Sequence, residues 1–199
     1  MKPTGISIVA MGAGLALSSC ATVPPPSAGL ADADLASAGA IADQFQQRLS
    51  LQLITALREG GPVAGIEVCA EQAPAIAAAL SQETGSEVRR ISLAPRNPAA
   101  MPEAYLQGPL RDLQARPLDE EGRPRMVGWI EGRGADARQL TLRSVVMLDQ
   151  PCGVCHGKDI APDVQAAIDR HYPADVATGF SAGELRGAIL VARNVASSH

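Results

Sequence analysis

Aromatic side chains are scarce in this chain of 199 residues, which contains two phenylalanines, two tyrosines and one tryptophan. Aromatic rings often account for much of the apolar surface that a protein core buries. The interior must therefore be built from alanine, leucine, valine and isoleucine, or partly from a flat apolar molecule that is not protein.

The chain also lacks an excess of positive charge. Its formal net charge is -4, and no basic stripe is present that could meet a phosphate backbone, which excludes a nucleic acid partner. With 46% hydrophobic and 19% charged residues, the composition suits one ordinary globular domain, and the length is too short to count on two.

The first twenty residues predict an export signal. Lys2 is followed by an apolar run from Ile6 to Leu17, too short to cross a membrane, and the segment ends in "LSSC". This ending resembles the lipobox of bacterial lipoproteins, which makes Cys20 the predicted lipidation site and membrane anchor; the alternative is a secretory signal with an incidental cysteine. The resemblance implies the periplasmic side of the cell envelope, and Ala21, which is not an aspartate, favours the outer membrane.

Residues 21–40 predict a flexible tether, and residues 41–199 form the predicted domain. The tether segment is rich in Pro, Ala, Ser and Gly and has no strong apolar period. The domain is predicted to start with two helices. The first runs from Leu35 to Arg58 and stops at "GGP". The second is kinked or divided at Pro74, ends before Gly85 and directs Cys69 inward.

A series of short strands follows these helices, with one short helix at "DVQAAIDRHYP". The predicted strands are Glu87–Leu93, Arg125–Glu131, Gln139–Leu148 and Leu185–Arg193. Helices followed by strands predict an α+β fold with an antiparallel sheet.

Near the end of the chain, "QPCGVCHGK" carries Cys152, Cys155 and His156. A redox dithiol is disfavoured, because thioredoxin-like motifs lie in a βαβ unit and the predicted elements do not alternate in that way. A zinc site that adds Cys69 and a histidine can be drawn, although there is no second cysteine pair, and a surface disulfide is the simplest alternative.

The same spacing, C-x-x-C-H, is the attachment signature of c-type haem. In this interpretation Cys152 and Cys155 form thioethers with the haem, and His156 is an axial ligand of its iron. The export signal agrees with it, because this cofactor is assembled on the exported side of the membrane. The second axial ligand is open on residue type alone. The candidates are Cys69, His171, His199, Met101, Met126, Met147 and water.

Four blocks of the sequence resemble the family of PAS-like single-haem c-type domains, known from exported bacterial sensor regions and from a cyanobacterial photosystem-associated protein. The blocks, in matching order, are "IEVCAEQAP" (66–74), "VRRISLAPRNP" (88–98), "CGVCHG" (152–157) and "YPADVATGFSAGELRGAILV" (172–191). The resemblance implies a PAS-like α+β fold with N-terminal helices beside an antiparallel sheet, one covalent haem, and axial ligation by Cys69 and His156.

Three arginines are candidate contacts for the haem propionates, because a guanidinium matches the geometry of a carboxylate; exposed surface arginines are the alternative. They are Arg89, Arg90 and Arg96. We expect a membrane-anchored haem c protein that acts in redox or small-ligand sensing, with electron transfer to an envelope partner as the alternative. The partner is an unknown redox or signalling protein, and no enzymatic activity is expected, because two protein ligands would fill the iron.

Overall fold

The structure is a computed structural model that describes Met1 and residues 29–195. The predicted signal segment, the predicted lipidation site Cys20, the start of the predicted tether and His199 lie outside the described residues.

Helix α1 (Asp32–Thr84) is a 53-residue element that breaks once, at Gly61. Gly61 has φ 69° and ψ -168°, a backbone conformation that is open to glycine and strained for other residues. The break coincides with the predicted stop between two helices. Pro74, in contrast, does not divide α1, because its neighbours keep helical dihedrals and only one backbone hydrogen bond is lost.

Helix α1 begins inside the segment for which a tether is predicted. Asp32 and Asp34 lie in its first turn, where negative charge favours a helix N-terminus. Ala38, Ala42 and Phe45 are buried, so residues 32–40 are an ordered part of the domain and a flexible tether can extend only as far as residue 31. Apolar contact of Ala38, Ala42 and Phe45 with the sheet, not helix propensity alone, fixes this part of α1.

Four antiparallel strands form one sheet in the order β1-β4-β3-β2. Their bounds are β1 (Glu87–Ile91), β2 (Met126–Glu131), β3 (Arg138–Val146) and β4 (Leu185–Asn194). Each lies within a few residues of a predicted strand, and the predicted α+β class with an antiparallel sheet is confirmed. The central strand β4 is buried from Leu185 to Ala192, because both faces of the sheet are covered.

The two faces carry different helices. Ile189 and Val191 of β4 pack against α1, while Ala188, Leu190 and Ala192 pack on the other side. There they meet α2 (Ala104–Ala115), which buries its three leucines at positions 106, 110 and 113. The alternation along β4 follows the two-residue period of a strand and assigns each face of the sheet to one helix.

The alternation of side chains between the two faces is interrupted at one end of β4. A β-bulge shifts the register between Val145 and Val146 of β3, opposite Gly187. Gly187 has φ 138°, and a Cβ atom there would lie 2.4 Å from the carbonyl oxygen of Ile91. Bulges redirect neighbouring side chains, and Arg186 accordingly reaches the α1 side of the sheet, although Ala188 points to the α2 side.

Two further helices connect β3 to β4. They are α3 (Gly153–His156), a single turn, and α4 (Pro162–His171). Helix α4 packs on the second half of α1 through Val164, Ile168 and Ile66.

By length and composition, α1 is apolar enough to cross a membrane. Its residues Phe45, Ile66 and Leu80 are nevertheless almost completely buried in the domain, and Gly61 interrupts it. We therefore treat α1 as a core helix of the folded unit.

Candidate functional site

A cavity lies on the α1 side of the sheet, between both halves of α1, the ends of β1, β3 and β4, and the C-x-x-C-H segment. Its space, including the part that opens to solvent, is about 1170 Å³. The walls are largely aliphatic, with Leu49, Leu53, Leu57 and Ile66 from α1 and Val145 from β3 among them. A large apolar cleft with a few convergent polar groups is the usual form of a cofactor or ligand site.

The cavity brings together the four residues predicted to hold a cofactor. Cys155 and His156 belong to α3, Cys152 is the residue just before it, and Cys69 comes from the second half of α1. All three cysteines are free thiols and half-buried, so no disulfide joins any of them in the described chain. In residues 29–195, no three His, Cys, Asp or Glu side chains gather tightly enough to hold a metal ion. The thiols and the imidazole thus surround an open space, unlike the ligands of a structural zinc site.

Backbone hydrogen bonds fix the position of α3. The amide of His156 donates to the carbonyl of Cys152 over 3.0 Å, and Phe180 donates to the carbonyl of His156 over 3.0 Å. The amide of Gly179 donates to the carbonyl of Gly157 over 2.8 Å. The segment 177–180 therefore runs beside the motif and holds it against the rest of the domain.

His156 is held as a neutral imidazole. Burial, together with the positive charges of Arg186 and Arg96, keeps its pKa well below the ordinary value. Its Nδ1 lies 2.7 Å from the carbonyl oxygen of Ala177 and 3.1 Å from Nε of Arg186. In a neutral imidazole Nδ1 cannot both accept from Nε–H of Arg186 and donate to the carbonyl of Ala177. The shorter contact is to the carbonyl, which can only accept, and it favours the tautomer in which Nδ1–H donates a hydrogen bond to Ala177. Nε2 is then the nitrogen whose lone pair is available to a metal.

The thiols are not activated in the manner of a redox dithiol. Burial raises the pKa of Cys69, although the charges of Arg96, Arg90 and Arg186 oppose this shift. Burial also raises the pKa of Cys155, with Arg96 opposing it. Reactive cysteines in C-x-x-C motifs have lowered pKa values, so the geometry disfavours thioredoxin-like chemistry here.

Arg96 is a clamp between the motif and the following loop. Its side chain is 7% exposed and forms a 3.1 Å ion pair with Asp175, which is 6% exposed. Nη2 also donates to the carbonyl of Cys155 over 2.5 Å and to that of Ala177 over 3.4 Å. Although Arg96 lines the cavity, its Nε and Nη2 donate within the protein and its charge is balanced by Asp175.

Arg90 and Arg186 line the same cavity, and their contacts differ from those of Arg96. Nε of Arg90 is buried and has no hydrogen-bond partner among the described residues. Nη1 of Arg186 donates to Oγ of Ser92 and to the carbonyl of Ala94, and its guanidinium lies 5.4 Å from the ring centre of Phe180. Burial and the two neighbouring arginines lower the pKa of Arg186 to about 9, so it stays protonated at pH 7.

The position of Arg89 disagrees with its predicted role as a contact for the haem propionates. It alternates with Arg90 along β1, so its side chain leaves the opposite face of the sheet and is absent from the cavity wall. There it pairs with Glu87 at 2.7 Å and with Glu103 at 2.5 Å. Adjacent residues of one strand could not both face a single site.

The other candidate axial ligands differ in whether they line the cavity. Met147 is 2% exposed and lines the cavity together with Cys69. Met101 is 53% exposed and His171 is also exposed, while Met126 lies beside Gly39 of α1, away from the cavity.

Three residues of the site were missed from the sequence. Arg186 reaches the cavity only because of the bulge opposite Gly187, and Asp175 is identified only by its pairing with Arg96. Tyr172 was not predicted as a site residue, yet it is buried and lines the cavity, and burial raises the pKa of its hydroxyl to about 12.

Comparisons with known proteins agree on one family. The family model described as "Tll0287-like: Tll0287" matches residues 28–193. A crystal structure of the cyanobacterial haem protein Tll0287 superimposes with a TM-score of 0.59 and 24% sequence identity, over 83% of this chain and 97% of that chain. No curated protein matches the sequence. At this identity the structural match supports the fold.

Proposed function

Because the chain belongs to the Tll0287-like family, we propose that its cavity holds one haem, attached as c-type haem through Cys152 and Cys155. His156 and Cys69 are the axial ligands in this proposal. The protein acts at the periplasmic side of the envelope, anchored through a lipidated Cys20, in redox or small-ligand sensing.

One observation carries the proposal: the two thiols and the imidazole of a single C-x-x-C-H segment line one apolar cavity with a thiol from another helix. Each residue type suits its role. Thiols at this spacing would form thioethers, and a neutral imidazole whose Nδ1–H donates a hydrogen bond to the Ala177 carbonyl would present Nε2 to iron. Cys69 would bind as a thiolate, because coordination to a metal deprotonates a thiol. When bound, the haem supplies a one-electron redox centre whose potential depends on these two ligands.

The position of Cys69 favours sensing over simple electron transfer. It belongs to α1, which begins at Asp32, close in sequence to the predicted anchor, and contributes both halves to the cavity wall. Loss of the bond between Cys69 and iron would act directly on this helix. The motif segment, by contrast, is fixed by Arg96 and by the segment 177–180.

Visible spectra of the protein, matured with haem and purified in the oxidised and reduced states with and without carbon monoxide, test the proposal. Haem that survives a denaturing gel would show covalent attachment. Carbon monoxide binding after reduction supports sensing through release of an axial ligand, whereas a six-coordinate centre that ignores the gas favours an electron carrier. Rapid turnover of peroxide would contradict the proposal that the protein is not an enzyme.

Cys69→Ala tests the second axial ligand. Haem should remain attached, the absorption spectrum should change, and the reduction potential should rise, because a thiolate donates charge and stabilises ferric iron. Met147→Leu is the matched control, since Met147 lines the same cavity. A spectrum that changes in Met147→Leu and not in Cys69→Ala would assign the ligand to Met147.

A further inference from the structure

The three arginines in the cavity wall differ in whether a carboxylate balances their charge. Arg96 is balanced by Asp175. Among the described residues that line the cavity there is no aspartate or glutamate, and neither Arg90 nor Arg186 forms an ion pair with a described residue. Two buried positive charges therefore face one apolar space.

Such a pair is unfavourable unless something else supplies negative charge. Removing a guanidinium from water is costly, and the nearby like charge adds repulsion. Desolvation is the main cause that lowers the pKa of Arg90, and Arg186 is affected by Arg90 and Arg96 together with burial. The buried Nε of Arg90 adds a hydrogen-bond donor with no acceptor in the described chain.

Arg90 and Arg186 would contribute to anion binding in different ways. Arg90 has an unused donor and projects from β1 on the α1 side of the sheet. Arg186 is oriented by Ser92 and Ala94, so it contributes a fixed positive charge next to the motif histidine. A molecule with two carboxylates would balance both charges.

We infer that Arg90 and Arg186 form a two-charge anion subsite that takes up the two propionates of the haem, while Arg96 and Arg89 do not contact them. This inference rests on the proposed function. It retains Arg90, drops the other two arginines predicted from the sequence, and adds Arg186, which the sequence did not indicate.

Resonance Raman spectroscopy of the haem-loaded protein tests this assignment, because the propionate bending mode reports hydrogen bonds to these carboxylates. In Arg90→Gln the mode should shift, and the reduction potential should fall, because removal of a positive charge favours ferric iron. Arg186→Gln should also shift the mode, although its potential alone is not decisive, since Arg186 lies beside His156. Arg89→Gln is the matched control: it removes the same charge one residue earlier in β1, on the opposite face, and should leave the mode unchanged.

An unchanged propionate mode in both Arg90→Gln and Arg186→Gln would overturn the inference, and so would an equal shift in Arg89→Gln. If Arg90→Gln gives no folded protein, Arg90→Lys decides, because it keeps the charge and loses the planar set of donors. The inference then requires that Arg90→Lys shifts the propionate mode and keeps a reduction potential near that of the wild type. An unchanged propionate mode in Arg90→Lys overturns the inference. Wild-type protein that carries no haem would contradict the proposed function itself, which is a distinct result.

Discussion

Arg90, Arg96 and Arg186 reach the same cavity with three different sets of contacts. Arg96 is paired with a buried carboxylate, Arg186 is held by a hydroxyl and a carbonyl, and Arg90 has an unused donor. The burial of a cation is tolerable when its partner is buried with it, and otherwise requires a ligand. The contacts of each guanidinium therefore separate a structural role from a binding role.

Asp175→Asn should destabilise the protein strongly, because it leaves the Arg96 charge buried without its partner. Breaking a buried ion pair at one end typically lowers the free energy of unfolding by about 3–5 kcal/mol. Chemical denaturation of the variant measures this loss. Asp119→Asn, which breaks the pair with the 69% exposed Arg123, is the control and should change stability little. A loss for Asp175→Asn no larger than for Asp119→Asn would contradict the role of Arg96 as a clamp.

At the scale of single residues, the sequence predicts the site residues that belong to a recognisable motif. It does not predict the residues that reach the site only through tertiary contacts. Cys152, Cys155 and His156 share one motif, and the family resemblance points to Cys69. Arg186 could not be predicted, because its direction depends on a register shift between two strands. The error at Arg89 was avoidable, since neighbouring residues in a strand point to opposite faces.

The break in α1 is the element that shapes the cavity. Leu49, Leu53 and Leu57 line it from the first half of the helix, and Ile66 and Cys69 line it from the second half. A straight helix of this length would present its two halves along one line, whereas the turn at Gly61 brings both to the same space. The position of Cys69 relative to α3 thus depends on a glycine.

Gly61→Ala should destabilise the domain by about 1–3 kcal/mol, since any other residue is strained at φ 69° and ψ -168° even where space is available. Thermal unfolding measures the change. Gly108→Ala is the control, because Gly108 is an exposed residue inside α2 with nothing within 4 Å of an added Cβ. That substitution should be neutral or stabilising by up to about 1 kcal/mol. An equal melting temperature for wild type and Gly61→Ala would show that the break tolerates a side chain.

Among the elements, the strands were more predictable than α2. Short runs rich in apolar and β-branched residues, bounded by turn residues, indicated all four strands. Helix α2 was overlooked, since Gly108 and Pro109 discourage a helix assignment. Its buried leucines at 106, 110 and 113 nevertheless follow helical spacing, and this was the available signal.

On the scale of the whole molecule, the described domain has a cavity where an aromatic core would otherwise lie. Phe45 is the one aromatic residue among the largest fully buried side chains of residues 29–195. The aliphatic walls of the cavity, from α1 and β3, need a partner surface. The proposed haem would fill this space and complete the core.

Replacing both Cys152 and Cys155 by serine should therefore weaken folding as well as haem attachment. The expected loss in free energy of unfolding is about 3 kcal/mol or more, similar to the removal of a large buried aromatic side chain. Denaturant titration followed by far-ultraviolet circular dichroism measures it, and wild-type protein produced without haem is the control for the serine substitutions. Equal stability of the haem-loaded and haem-free wild type would contradict a role of the haem in the core.

The start of α1 at Asp32 also limits where such a protein could work. If Cys20 carries the lipid, residues 21–31 connect it to the helix, and eleven residues span at most about 40 Å. The predicted tether of twenty residues would have allowed a larger distance from the membrane. In that case the domain would stay close to the membrane, and a partner would have to present its contact surface within the same layer.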